Sequence, residues 1–148
     1  VGTTNEPMIM PYIDAYTQHV IFADVQGNVA LFDLKKGDEK PQRFTVDFSP
    51  RFIRTGWLES TWILAGDKGI MFQSFDDPSD RRIDRFRPEI MSIWVTGDSK
   101  TALYSLDEWA PQIFRYDIRT RKKLKPIRVR GVTMPAMLRM GSNNSICY

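Results

Sequence analysis

Residues able to do chemistry are few and far apart in this chain. His19 is the only histidine and Cys147 the only cysteine, 128 positions away. Neither a Cys-His nucleophile pair nor a Cys/His zinc site is therefore expected. Asp14, Asp24, Asp67, Asp98 and Asp107 could supply carboxylates, but all fall at strand ends or turns. There an aspartate accepting nearby backbone N–H groups explains them equally well. Neither a phosphate-cradling Gly-rich motif nor a GxSxG elbow is present. The expectation is no catalytic residue, no metal ligand and no cofactor.

Charge offers a sharper feature. Arg119, Arg121, Lys122, Lys123, Lys125, Arg128 and Arg130 place seven positive charges and no acid within 12 positions, although the 148 residues carry a formal net charge of only +3. The basicity is local, and the rest of the chain is net negative. Such a tract can be a solvated strand edge whose cations discourage pairing with other strands, or a docking site for an acidic protein. Nucleic acid or anionic lipid comes last, because no aromatic residues for base stacking interrupt the tract. Trp109, in the loop Asp107-Glu108-Trp109-Ala110, suits either an interface anchor or a cap on its own sheet. The candidate partner-binding residues are Trp109, Arg119, Arg121, Lys122, Lys123 and Lys125.

The elements that position these residues are strands. Phe32-Asp33, Phe75-Asp76 and Tyr116-Asp117 recur at intervals of 43 and 41 residues, each closing an apolar run. A period of about 40 to 45 residues marks a β-propeller, in which each repeat is a four-stranded blade. The first period divides into Tyr12 to Ala15, His19 to Ala23, Val29 to Asp33 and Gln42 to Asp47. The second gives Phe52 to Trp57, Thr61 to Ala65, Ile70 to Phe75 and Arg82 to Phe86. The third gives Ile90 to Thr96, Thr101 to Leu106, Ile113 to Asp117 and Leu124 to Val129. Thr133 to Leu138 begins a fourth, with Pro135 counting against a regular strand. Gly27 and Gly69, 42 apart, are expected in turns that need a positive φ. Pro111 stands another 42 residues on, and Phe44 and Phe86, also 42 apart, are expected to end equivalent outer strands. No sustained apolar spacing at three and four residues predicts a helix.

The stretch Gln26-Gly27-Asn28-Val29-Ala30-Leu31-Phe32-Asp33-Leu34 resembles the WD-repeat pattern, with Phe in place of Trp. Tyr116-Asp117-Ile118 is similar, and Phe75-Asp76 is a looser copy. This likeness to WD40-type β-propellers covers about residues 12 to 130. It lacks the Gly-His pair before each blade, so the family's His-Asp hydrogen-bond network is not carried over. Ala65-Gly66-Asp67-Lys68-Gly69-Ile70-Met71-Phe72 resembles a sialidase Asp-box without its leading serine and final Trp.

The fold class expected is all-β: a propeller segment of about three four-stranded antiparallel blades, at 12–47, 52–86 and 90–129, with 132–148 as the start of a fourth or a tail. Propellers close with roughly four to eight blades, so the segment is read as part of a larger propeller. A chain starting at Val1 fits a fragment or processed product. At 42% hydrophobic and 26% charged the composition is that of an ordinary globular domain. No run is long enough for a membrane-spanning helix. The lone cysteine points to an intracellular, reducing compartment, while Asn143-Asn144-Ser145, a formal glycosylation triplet, keeps secretion open. The function expected is a non-catalytic protein-interaction scaffold, in a larger protein or a multi-chain assembly. The alternative is part of a hydrolase, lactonase or small-molecule-binding propeller with its site over the central channel. Partners are a protein or the remaining blades of the same ring.

Overall fold

A computed structural model of the chain describes residues 8–37, 40–107, 112–129, 139–140 and 146–147. Twelve strands form three four-stranded antiparallel sheets in chain order. The first contains β1 (Met8–Asp14), β2 (His19–Asp24), β3 (Asn28–Asp33) and β4 (Gln42–Thr45). The second contains β5 (Pro50–Gly56), β6 (Thr61–Gly66), β7 (Gly69–Ser74) and β8 (Arg81–Arg85). The third contains β9 (Ile90–Val95), β10 (Thr101–Leu106), β11 (Gln112–Asp117) and β12 (Lys122–Arg128). A short hairpin of β13 (Arg139–Met140) and β14 (Ile146–Cys147) follows. Helical structure among the described residues is limited to 3-10 turns at Leu34–Lys36 and Trp57–Glu59. The first strands β1, β5 and β9 lie against one another from sheet to sheet. They form the inner wall, and β4, β8 and β12 the outer rim. The chain is all-β, with three successive blades of a partial β-propeller.

Period-2 alternation explains how the sheets stack, because successive side chains leave a strand on opposite faces. In β2, Ile21 and Ala23 point towards the second sheet and are fully buried, while Val20 and Phe22 point the other way and are half-buried. In β6 every residue is buried, and in β7 all but the last. The middle sheet is covered on both faces. Ile21, Ala23, Val29, Leu31, Ile53, Trp62, Leu64, Met71 and Phe75 fill the space between sheets one and two. Ile63, Ile70, Phe72, Ala102, Tyr104, Tyr116 and Ile118 fill the space between two and three.

Turn aspartates close the hairpins. Asp24 accepts from the backbone of Gln26 and Asn28 and from the Asn28 amide. Burial pushes its carboxyl up, but these hydrogen bonds outweigh that and hold it below the usual carboxylate range. Asp67 accepts from Ser49 N at 2.8 Å, while Asp67 N donates to Ser49 O. That pair ties the β6–β7 turn to the entry of β5.

Strand pairing corrects three points of the sequence reading. Asp33 lies opposite His19, and Asp117 opposite Thr101, but the residue opposite Thr61 is Ser74. Phe75-Asp76 therefore sits two residues beyond the position of the other two pairs, and Gln73 holds the place of Phe32 and Tyr116. Phe44 lies opposite Val29 within β4. The residue that matches Phe86 is Val46: Val46 N donates to Gly27 O as Phe86 N donates to Lys68 O. Gly27 has the expected positive φ of 89°, whereas Gly69 does not. Gly69 is required by space instead, since a Cβ there would lie 2.8 Å from Phe48 Cδ1. Pro111, the Thr133 to Leu138 run and the Asn143-Asn144-Ser145 triplet lie outside the described residues.

Candidate interaction surface

From Arg119 to Arg128 the basic tract occupies the turn after β11 and all of β12, at the outer rim of the third sheet, and Arg130 lies outside the described residues. Its cations do not share one role. Arg121 pairs with both carboxylate oxygens of Asp80, which precedes β8, and Arg121 O accepts from the buried Tyr116 hydroxyl at 2.7 Å. Burial pushes the Tyr116 phenol up, so it stays protonated as a donor. Lys123 places its Nζ 4.8 Å from the Phe86 ring of the second sheet. Arg81 packs in the same sense over Phe44 of the first sheet, at 3.6 Å. In both cases the cation follows the aromatic by 37 residues. Cation-on-ring contacts of this kind are worth about 0.5–1 kcal/mol when exposed and more when desolvated. Arg121 and Lys123 thus staple the third sheet to the second.

Arg119, Lys122, Lys125 and Arg128 are exposed. Along the same edge Leu124 and Ile127 are 37% and 40% exposed. β12 also carries a register shift opposite Ile113 and Arg115 and a proline, Pro126, which has no N–H to give. Lysines, an irregular register and a proline blunt the strand against a further backbone partner. Trp109 lies outside the described residues.

The acids named from the sequence do not converge. Asp14 accepts from Tyr16 N and Thr17 N. Asp98 accepts from the Thr96 hydroxyl and Lys100 N, which hold its carboxyl below the usual range. Asp24 and Asp67 serve turns as described above, and Asp107 is exposed. Among the described residues no group of three or more His, Cys, Asp or Glu could hold a metal ion.

His19 lies between sheets one and two. Its ring stacks on Phe75 with centroids 4.4 Å apart, and its Nε2 is 4.0 Å from an Asp33 oxygen. Burial lowers its pKa from the ordinary 6.5, against the opposing pull of Asp33, a backbone contact at Thr17 and Asp14, and with Lys35 adding to the lowering. The folded state thus favours the neutral ring. The stability contributed is complete above about pH 6.5 and is lost as pH falls from there through the lowered folded value, because the unfolded chain takes up the proton first. The wild-type melting temperature is expected to fall between pH 7.5 and 5 more than that of His19→Gln. Parallel curves would contradict this.

Comparison with solved structures places the architecture. A structure from Kuenenia stuttgartiensis hydrazine synthase is similar over 97% of this chain and 42% of that one, at 12% identity and a TM-score of 0.71. The Myceliophteria thermophila Cps50 (Swd1) β-propeller domain matches 93% of this chain and 48% of its own, at 12% identity and 0.67. The Neurospora crassa Pan2 WD40 domain matches 91% and 41%, at 14% identity and 0.65. The fold is that of a divergent, partial β-propeller. The chain spans less than half the length of each of these structures. No protein-family model matches the sequence, and no curated protein matches it.

Exposed apolar residues that sequence reasoning passed over cluster in the turns. Tyr16 in the β1–β2 turn is 74% exposed, Leu34 after β3 54%, and Leu58 in the β5–β6 turn 55%. All three lie at the end of the stack where second strands begin and third strands finish. They come from turns far apart in sequence, so no periodic pattern marks them. No helix among the described residues is long and apolar enough to cross a membrane.

Proposed function

We propose that the chain is the WD40-like propeller portion of a larger protein or multi-chain assembly, serving as a non-catalytic protein-interaction scaffold within a cell. Its rim takes an acidic protein surface through Arg119, Lys122 and Lys125, with Trp109 as the aromatic anchor. The observation that carries this reading is the division of labour in the basic tract: Arg121 and Lys123 contact the second sheet, while Lys122 and Lys125, exposed as Lys123 is, meet no acid among the described residues. A strand that needed cations only for internal packing has no use for the second set. The engagement of Asp14, Asp24, Asp67 and Asp98 in turns favours binding over a carboxylate-based reaction.

The test is a double charge reversal, Lys122→Glu with Lys125→Glu, in the native complex. Association is expected to slow by roughly tenfold or more and to lose most of its salt dependence, with the melting temperature unchanged. Lys123→Glu should differ by also lowering stability, through loss of the Phe86 contact. Association unaltered by the double reversal would contradict the proposal.

A further inference from the structure

The inner wall carries a cation, Arg54, that no carboxylate answers among the described residues. Arg54 projects from β5, the first strand of the middle sheet, towards β9. Its Nε donates to Ile93 O at 3.1 Å and its Nη1 to Ile53 O at 2.7 Å. Its guanidinium lies over the Trp94 ring, 5.2 Å from the centroid. Arg54 is half-buried, and among the described residues no carboxylate pairs with it. The other described arginines of the second sheet's strands meet acids or a side-chain acceptor: Arg51 pairs with Glu89, Arg82 with Asp84, Arg85 with Asp47, and Arg81 donates to Gln73. Arg54 is the exception, and its place between β1 and β9 puts described strands on both sides of it.

A guanidinium has five N–H donors in a planar fork suited to a carboxylate or phosphate. Two point at backbone carbonyls, and the ring face beneath holds the plane in position. Burial lowers the pKa of the group, with the Tyr12 phenol acting the other way, yet an arginine stays charged at neutral pH. Tyr12 Oη and Thr55 Oγ1 share one hydrogen bond at 3.1 Å. Two hydroxyls use one proton between them, which leaves the other for a further acceptor. A charge partly removed from water without a counter-ion is costly, and an anion bound there recovers that cost.

We propose that Arg54, oriented by Trp94 and the Ile93 and Ile53 carbonyls, is an oxyanion-recognition residue on the inner wall, taking the carboxylate or phosphate group of a ligand that enters between the first strands. The site is separate from the rim, so Lys122→Glu with Lys125→Glu leaves it intact.

The experiment is thermal unfolding of the full protein in inorganic phosphate, in acetate and in chloride at matched ionic strength, for wild type, Arg54→Lys and Arg54→Gln. Phosphate or acetate at ten times its dissociation constant is expected to raise the wild-type melting temperature over chloride by about 4 °C, less in Arg54→Lys and not at all in Arg54→Gln. A rise with phosphate alone assigns a phosphate ligand, and a rise with acetate assigns a carboxylate. If Arg54→Gln does not fold, the Trp94 indole N–H resonance of the wild type is followed during the phosphate and acetate titrations. A saturable shift there supports the site. No shift with either anion, or an anion effect that survives in Arg54→Gln, overturns it.

Discussion

Tyr116→Ala is expected to destabilise the chain by about 3–5 kcal/mol, the range for truncating a fully buried aromatic. Tyr116 is 0% exposed, stacks on Phe72 with centroids 4.0 Å apart, and donates its hydroxyl to Arg121 O. The substitution opens a cavity between sheets two and three and frees the turn that presents Arg121 to Asp80. Phe32→Ala is the informative companion. Phe32 holds the same register position in the first sheet, but it lies on the face away from the second sheet, half-buried, with Phe22 packed edge-on against it at 5.6 Å. In this chain alone its truncation should cost no more than about half as much, in proportion to the area it buries. In an assembly that covers this face the two costs should converge. Chemical denaturation of both variants measures the difference, and equal losses in the isolated chain would contradict the assignment of an uncovered face.

Gly27→Ala is expected to lower stability by about 2–5 kcal/mol, combining left-handed strain of roughly 1–2 kcal/mol with an overpacking cost of about 1–3 kcal/mol. At φ 89° the residue closes the β2–β3 turn, and an added Cβ would lie 2.3 Å from Val46 O. That oxygen belongs to backbone, and Val46 N is already held by Gly27 O, so the neighbour cannot swing aside. Gly37 separates the two contributions. Its φ is 65°, yet nothing lies within 4 Å of the position a Cβ would take. With ψ at −125° it lies outside the left-handed helical region, and Gly37→Ala should cost only that backbone strain, about 1–3 kcal/mol. Denaturant midpoints for the two variants check the ordering, and a Gly37→Ala variant as unstable as Gly27→Ala would contradict the close-approach argument.

Blade number and strand order were legible because each blade repeats the same alternation between the same kinds of turn. Thr101 to Leu106 agrees with β10 at both ends, and the other eleven strands overlap those read from the sequence. Finer registration was not legible. Phe75-Asp76 matches the spacing of the other aromatic-aspartate pairs, yet the backbone pairing of Thr61 with Ser74 moves it past the end of β7. Spacing counts residues along the chain, whereas equivalence is set across the ladder, and the β6–β7 turn, one residue shorter than the β2–β3 turn, accounts for one of the two residues of displacement.

The candidate surface was legible as composition but not as geometry. Seven cations within 12 positions identify a basic rim without saying that Arg121 reaches Asp80, 41 residues earlier, or that Lys123 lies on Phe86. Both contacts join different sheets, and no local pattern encodes them. Arg54 was invisible for a related reason. Nothing in Phe52-Ile53-Arg54-Thr55 distinguishes a strand arginine that meets an acid from one that, among the described residues, meets carbonyls and a tryptophan ring. That environment is a property of neighbouring first strands brought together.

The central claim is that these three sheets are consecutive blades of a larger ring, with the face bearing Phe22 and Phe32 covered by a further blade. Hydrogen–deuterium exchange on the particle purified from its natural source, compared with the isolated 148-residue chain, tests it most directly. Backbone amides of β2 and β3 should be markedly better protected in the native particle, while those of β6 and β7, covered on both sides in either case, should change least. Equal protection of β2 and β3 in both samples, with the native particle containing a single copy of these residues and no other blades, would contradict it.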